Sequence, residues 1–400
     1  MLSYILVLLS ALIVSATAAV HHLFVGNLSP PFSIHALEFD DQAVTLKKTK
    51  TLPAAGTHPW ITFDRTKSNV YGASFSNASV ASYSVLDHST LRLDASINST
   101  DNCDNRTAAY VQSSSHPPYH VYTGSWPGPQ ACGQALSTYR NGTLKEVIQT
   151  WTYKNDSGIH GLALGPGDRI LYSADLNGDA VWAHGAGTRW GGDDRAMAVK
   201  GMFNMPKKGK HPRHLVAHPN GEVLHVVMEA GNEIVELEVD RRGVPVKETG
   251  TWSLIPPTTK NTSDYWSAEV KYSHNHRYLW ATARARQNST NTGFITVFAL
   301  GRDGRVEDPL ARVPTTTTGG IANAVAPAPW GDEWVAMADV PKGYVQIWKL
   351  GRTNEENHGN ELARKEDRLG KKWNGTFTAT AVARVDIADG GCCANIIWYD

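Results

Sequence analysis

The segment "HPRHLVAHPNGEVLHVVMEAGNEIVELEVD", residues 211–240, sets Arg213 near the start of one short apolar run and Glu229 at the end of the next. A charge that ends a buried strand loses its hydration, so it must pair with an opposite charge or meet a charged ligand. Two further residues occupy comparable places: His160 opens "HGLALGPGDRILYSADLNGDAVWAH", and Arg284 falls near the end of "LWATARAR". Arginine presents a planar fork that matches a carboxylate bidentately, while histidine and glutamate can give or take a proton. Together the four would converge on one axis, where they pair with one another or meet a charged ligand. A simple Arg213–Glu229 ion pair, and a His160 that only bridges neighbouring elements, would use the same residues structurally. Arg286 lies beside Arg284, and nothing local decides which of the two turns inward.

Other chemistries lack their signatures. There is no Gly-x-Ser-x-Gly elbow of a serine hydrolase, no Gly-x-x-x-x-Gly-Lys phosphate loop and no Cys-x-x-Cys pair. No metal and no cofactor are assigned. Lys plus Arg balance Asp plus Glu, 38 against 38, so net charge gives no reason to propose nucleic acid or a membrane surface as partner.

The elements that must position these residues are short strands. Turn pairs such as Asn177-Gly178, Asn220-Gly221 and Asp303-Gly304 separate apolar runs, and no long helical heptad is present. "IVELEVD" alternates Val235, Leu237 and Val239 with Glu236 and Glu238, the period of a half-buried strand. A unit of short strand, polar turn and further strands recurs from His58, His116, His160, His211, Ser267 and Asn323. The starts are 44 to 58 residues apart, the range of four-stranded propeller blades. Terminal "ANIIWYD" reads as the first strand of a seventh unit, and "HHLFVGNLSPPFSIHALEF" as its continuation. The expectation is an all-β fold: one seven-bladed β-propeller domain over residues 20–400, whose last blade is closed by N- and C-terminal strands. Closing the ring in this way removes exposed sheet edges. The unit-opening histidines His58 and His116 are expected to hydrogen-bond between blades. A charged insertion from Glu356 and the basic loop "MPKKGKHPRH" fall outside the repeat.

Residues 1–19 read as a signal peptide, with an apolar run from Tyr4 to Val14 and small residues before Val20. That run is too short to span a bilayer, so no membrane span is expected. Nine Asn-x-Ser/Thr sequons begin at Asn27, Asn77, Asn98, Asn105, Asn141, Asn155, Asn261, Asn288 and Asn374. Behind a leader they suggest a glycosylated, secreted protein, and a cell-wall location is one form of this. The four cysteines fit an oxidising compartment. Cys103 and Cys132 could staple a loop. The adjacent Cys392 and Cys393 could form a vicinal disulfide, pair elsewhere or stay as thiols.

The stretches "IHGLALGPGDRILYSADLNGDAVWAH", "HPRHLVAHPNGEVLHVVMEAGNEI", "PWGDEW" and terminal "WYD" resemble the fungal carboxy-cis,cis-muconate cyclases, within the seven-bladed lactonase group that includes 6-phosphogluconolactonases. The resemblance covers nearly all of the chain after the leader. It implies a cofactor-free cycloisomerisation in aromatic degradation. A carboxylate of 3-carboxy-cis,cis-muconate adds across the diene to give a γ-lactone, through an enolate-like intermediate that is then protonated. Arg213 and Arg284 would bind this tricarboxylate and the developing enolate charge, and His160 or Glu229 would act as the general acid, with the other orienting it or tuning its pKa. The chain departs from the cyclases at Ile321, after Gly319-Gly320, where they commonly carry a polar residue such as histidine. An extracellular location also departs from an intracellular pathway. Two other readings use the same scaffold: a non-catalytic glycoprotein antigen or adhesin contacting host matrix or cell-wall glycans, and a lactonase opening a sugar lactone.

Overall fold

A computed structural model describes residues 19–186, 197–286, 289–340, 342–353 and 376–400. Residues 1–18 of the expected leader, the charged insertion from Glu356 and the sequons at Asn288 and Asn374 lie outside the described residues. The described chain forms seven four-stranded antiparallel sheets. Six are contiguous in sequence, and their innermost strands are Ile61–Phe63, Ala108–Ser113, Ile159–Leu164, Pro212–Ala217, Tyr265–Tyr272 and Val325–Pro327. The seventh takes its innermost strand, Cys392–Trp398, from the C-terminal end and the next three, Val20–Asn27, Ser33–Asp40 and Thr45–Pro53, from the N-terminal side. Each innermost strand packs on the next around a closed ring. The seven-bladed expectation, including the split blade, is borne out.

Burial falls from the axis outward. The second strand Val223–Met228 is buried at every residue, because blades cover both of its faces, whereas the outer strand Thr45–Pro53 is largely exposed. At the closure, Leu23, Leu37, Phe39 and Trp398 pack with Trp334, Val345 and Ile347 of the preceding blade. Each such side chain contributes about 1.5–3 kcal/mol when removed from water.

Three local readings need correction. The unit placed at His116 begins earlier, at Ala108–Ser113; His116 lies in the turn after that strand, near Asp168. The His-Pro dipeptide it shares with His58 and His211 marks a turn there and not a strand entrance. Glu236, on the expected solvent face of Glu233–Val239, is buried, because the neighbouring blade supplies Arg305 and the Val306 amide, and its own blade His225, as partners. Asn27 is also buried, and its amide donates to Pro31 O and to Asp389 Oδ2 at 2.8 Å. A glycan has no path to that nitrogen. Asn77, Asn98, Asn105, Asn141, Asn155 and Asn261 are exposed. The cysteines pair as Cys103–Cys132 and Cys392–Cys393.

Asp389 ties the closing strand to the ring. Its carboxylate accepts from Asn27, from His35 Nε2 at 2.9 Å and from the Gly391 and Cys392 amides. Burial opposes its charge, but these donors overcome burial and hold its pKa below the ordinary value. Its stabilisation is therefore present above the carboxylate's unfolded pKa and lost as pH falls through the lower folded value. Asp389→Ala should cost roughly 2–3 kcal/mol at pH 7, read as a lower urea midpoint, and an unchanged midpoint would contradict this anchoring.

Candidate active site

In an antiparallel pair, the start of the innermost strand lies beside the end of the second, so both reach the same mouth of the ring. The four residues singled out for chemistry all sit at such positions. His160 and Arg213 begin the innermost strands Ile159–Leu164 and Pro212–Ala217, Glu229 comes directly after Val223–Met228, and Arg284 nearly ends Tyr278–Ala285. All four line one cavity of about 930 Å³.

Strand register explains the aim of the side chains. Pairing shifts by one residue at His160, at Arg213, at Ala268 and at Ala109 on four successive innermost strands. Each shift is a β-bulge, which re-aims side chains and breaks the alternation of faces. Arg213 and His214, consecutive residues, therefore both line the cavity. Gly161 allows this crowding, since a Cβ there would lie 2.6 Å from Arg213 O and 2.9 Å from the His214 ring.

One carboxylate holds the arginines. Glu229 Oε2 accepts from Arg213 Nε at 3.0 Å and from Arg284 Nη2 at 2.8 Å. Arg213 Nη1 also donates to the Ala268 carbonyl at 2.5 Å. Arg284 is 3% exposed, and its Nε and Nη1 have no hydrogen-bond partner. Burial, then the like charge of Arg213, lowers its pKa to about 9 against the support of Glu229. Two guanidinium groups share one carboxylate, leaving a net positive charge beside the cavity and two buried Arg284 nitrogens without a partner. That arrangement suits an anion. Trp266 flanks it, with Arg284 5.5 Å and Arg286 4.2 Å from its ring centre. Arg284 is the inward member of the pair; Arg286 is exposed at the rim.

His160 belongs to a second network. Its Nδ1 lies 3.0 Å from His214 Nε2, and His214 Nδ1 lies 3.0 Å from Glu269 Oε2. Burial first, then the charge of Arg213, pushes both imidazoles well below the ordinary histidine pKa, so both are neutral. The residue that orients His160 is therefore His214; Glu229 is taken up by the arginines. Sequence reading passed over His214, Glu269 and Trp266, because strict alternation from Arg213 turns His214 to the opposite face. Leu28, Pro59, Phe75, Trp126 and Ile321 form an apolar side of the cavity, and Ile321 is 45% exposed at its mouth. Among the described residues, no group of three or more His, Cys, Asp and Glu is placed to hold a metal.

A family profile described as Lactonase, 7-bladed beta-propeller, matches residues 17–321. The chain belongs to the seven-bladed β-propeller lactonases. This lactonase-family chain is 31% identical to the carboxy-cis,cis-muconate cyclase of Neurospora crassa, over 95% of its own length and 99% of the relative's. The cyclase resemblance is thus borne out, and the chain is an enzyme by family. It is 25% identical to a 6-phosphogluconolactonase of an Enterobacter species over 37% of its length and 41% of the relative's. The periplasmic gluconolactonase of Pseudomonas aeruginosa shares the fold, with a TM-score of 0.70 at 16% identity, over 95% of this chain and 99% of that one.

The shared carboxylate makes a direct prediction. Glu229→Gln leaves two neighbouring guanidinium groups unneutralised. Stability should fall by about 2–4 kcal/mol, toward the low end because the cavity is open to water, and added sulfate should restore part of it. Urea unfolding with and without sulfate reads this; an unchanged midpoint would mean the arginines do not depend on Glu229.

Proposed function

We propose that this enzyme is a lactonising cycloisomerase acting on 3-carboxy-cis,cis-muconate or a close carboxylated diene. The observation that carries the reading is the Arg213–Glu229–Arg284 cluster, with two free donors on Arg284, set in one cavity with a neutral histidine. Similarity to the Neurospora crassa cyclase over nearly the whole of both chains supports it.

The reaction needs three things from the chain. Arginine forks hold a carboxylate and take up the charge that moves onto it as an enolate forms. The cavity holds a second carboxylate oxygen against the diene carbon it attacks, which converts encounter into an intramolecular approach. A proton then reaches the carbon at the far end of the enolate. One C–O bond and one C–H bond form as one C=C π bond is lost, so the trianion plus one proton gives a dianionic lactone.

His160 is the group we assign to that proton. In the empty cavity, burial and the Arg213 charge keep it neutral. Entry of a trianion reverses the local field and raises its pKa, so the acid form appears with the substrate. Glu229 is taken up by its ion pairs with Arg213 and Arg284.

Lactone hydrolysis is the second reading, favoured by the family itself and by the Enterobacter relative named for it. There the neutral His160 would instead accept a proton from water. Purified protein should bleach the ultraviolet absorbance of 3-carboxymuconate, and Arg284→Ala should lower kcat/KM by roughly 10²–10³-fold, the effect of losing one donor to developing negative charge. Absorbance that stays constant while 6-phosphogluconolactone is opened would replace this reading with the second; full turnover in Arg284→Ala would remove the site.

A further inference from the structure

With His160 as proton donor, either of its ring nitrogens could carry the exchanging proton. Three side chains behind it, the buried His214 and Glu269 and the half-buried Lys271, decide which one does. Glu269 is 1% exposed, on the innermost strand of the blade after that of His214, and its Oε1 accepts from the Val270 amide at 3.1 Å and lies 3.8 Å from Lys271 Nζ. Lys271 is fixed in turn by Tyr110 Oη at 3.2 Å and by the Trp60 ring, 4.9 Å away. Burial raises the Glu269 pKa, and Lys271 and Arg213 offset part of that rise; the Lys271 ammonium and the Val270 amide beside its Oε1 are the contacts that favour the carboxylate form.

Hydrogen-bond polarity then runs one way. A carboxylate can only accept, so His214 Nδ1 must carry the hydrogen it donates to Glu269. A neutral imidazole protonated at Nδ1 is bare at Nε2, so His214 Nε2 must accept. The atom opposite it, His160 Nδ1, is therefore the donor. His160 is left with Nε2 as the nitrogen that exchanges protons with the cavity.

We propose that His214 and Glu269 are positioning residues that fix His160 as its Nδ1–H tautomer and dedicate its Nε2 to proton transfer with the substrate. This rests on the lactonising reading above only for the direction of transfer. When substrate enters, Nε2 takes a proton from water, and the imidazolium charge is balanced through His214 by Glu269. The enolate carbon then removes that same proton, and the ring returns to neutral. Lys271 keeps Glu269 ionised, so no proton is lost down the chain. The relation resembles the carboxylate that orients a catalytic histidine elsewhere, lengthened by one imidazole.

The groups facing His160 are Arg213 and His214 from one strand, Arg284 from the next blade, and the Trp126 ring 5.2 Å away. None of the charged groups among these favours its protonated form, so the counter-charge of Glu269 has a measurable effect. Removing it should lower the His160 pKa in the substrate complex. An enzyme that needs protonated His160 loses kcat as pH rises through that pKa, and the loss should therefore begin at lower pH. Glu269→Gln, which keeps an acceptor but not the charge, should reduce kcat roughly 10–100-fold with KM within about threefold, and move the alkaline limb of kcat about one pH unit toward acid. Glu269→Asp should recover part of both. A role in folding alone would reduce active protein and leave the limb where it was, and that result overturns the proposal.

A measurement on the unaltered protein decides the tautomers without any variant. Two-bond proton–nitrogen correlation on ¹⁵N-histidine-labelled enzyme at pH 7.5 should show both His160 and His214 protonated at Nδ1. An Nε2–H form of His160, or rapid averaging between forms, overturns the inference. Should 3-carboxymuconate not be turned over, the functional reading fails by itself, and the tautomer spectrum still judges this one.

Discussion

Everything at the mouth of this ring depends on one carboxylate shared by two buried guanidinium groups. Glu229 neutralises one positive charge and leaves another. Arginines brought together without it would repel each other. With it, they become a fixed receptor whose unfilled valence is Arg284 Nε and Nη1. Burial first, and then the same positive charge, suppresses protonation of His160 and His214. Anion binding and histidine protonation are therefore linked, because a carboxylate that satisfies the arginines also offsets the field that adds to burial in keeping the histidines neutral.

The propeller supplies this geometry through irregularity. Regular strands would send Arg213 and His214 to opposite faces. The bulge at Arg213 brings both to the cavity, and the shifts at His160 and Ala268 deliver their partners. Gly161 is the contact that lets neighbouring bulged strands approach. Blade cores remain ordinary sheet packing, so departures from regularity concentrate where side chains must converge.

Much of this was legible in the sequence. Repeat spacing carried the seven units, and the split terminal unit carried the closure. Charges ending apolar runs marked Arg213, Glu229 and Arg284, because such residues have few bland explanations. His214, Glu269 and Lys271 stayed hidden because a bulge leaves no trace in an alternating pattern, and their meaning depends on contacts between blades. His116 misled because a His-Pro dipeptide suits a turn as well as a strand entrance. The Asn27 sequon misled because burial is a tertiary property, and its amide is spent on Asp389. The partly exposed Ile321 marks where this cavity's mouth is apolar.

Proton-linked calorimetry tests the central claim most directly. The lactone product, which carries carboxylates but does not react onward, would be titrated into the enzyme at pH 7.5 in buffers of different ionisation enthalpy. If the arginine–glutamate receptor governs the histidines, binding takes up protons, approaching about one per site as His160 becomes imidazolium. Binding with no proton uptake, or affinity unaffected by Arg284→Ala, would contradict the account.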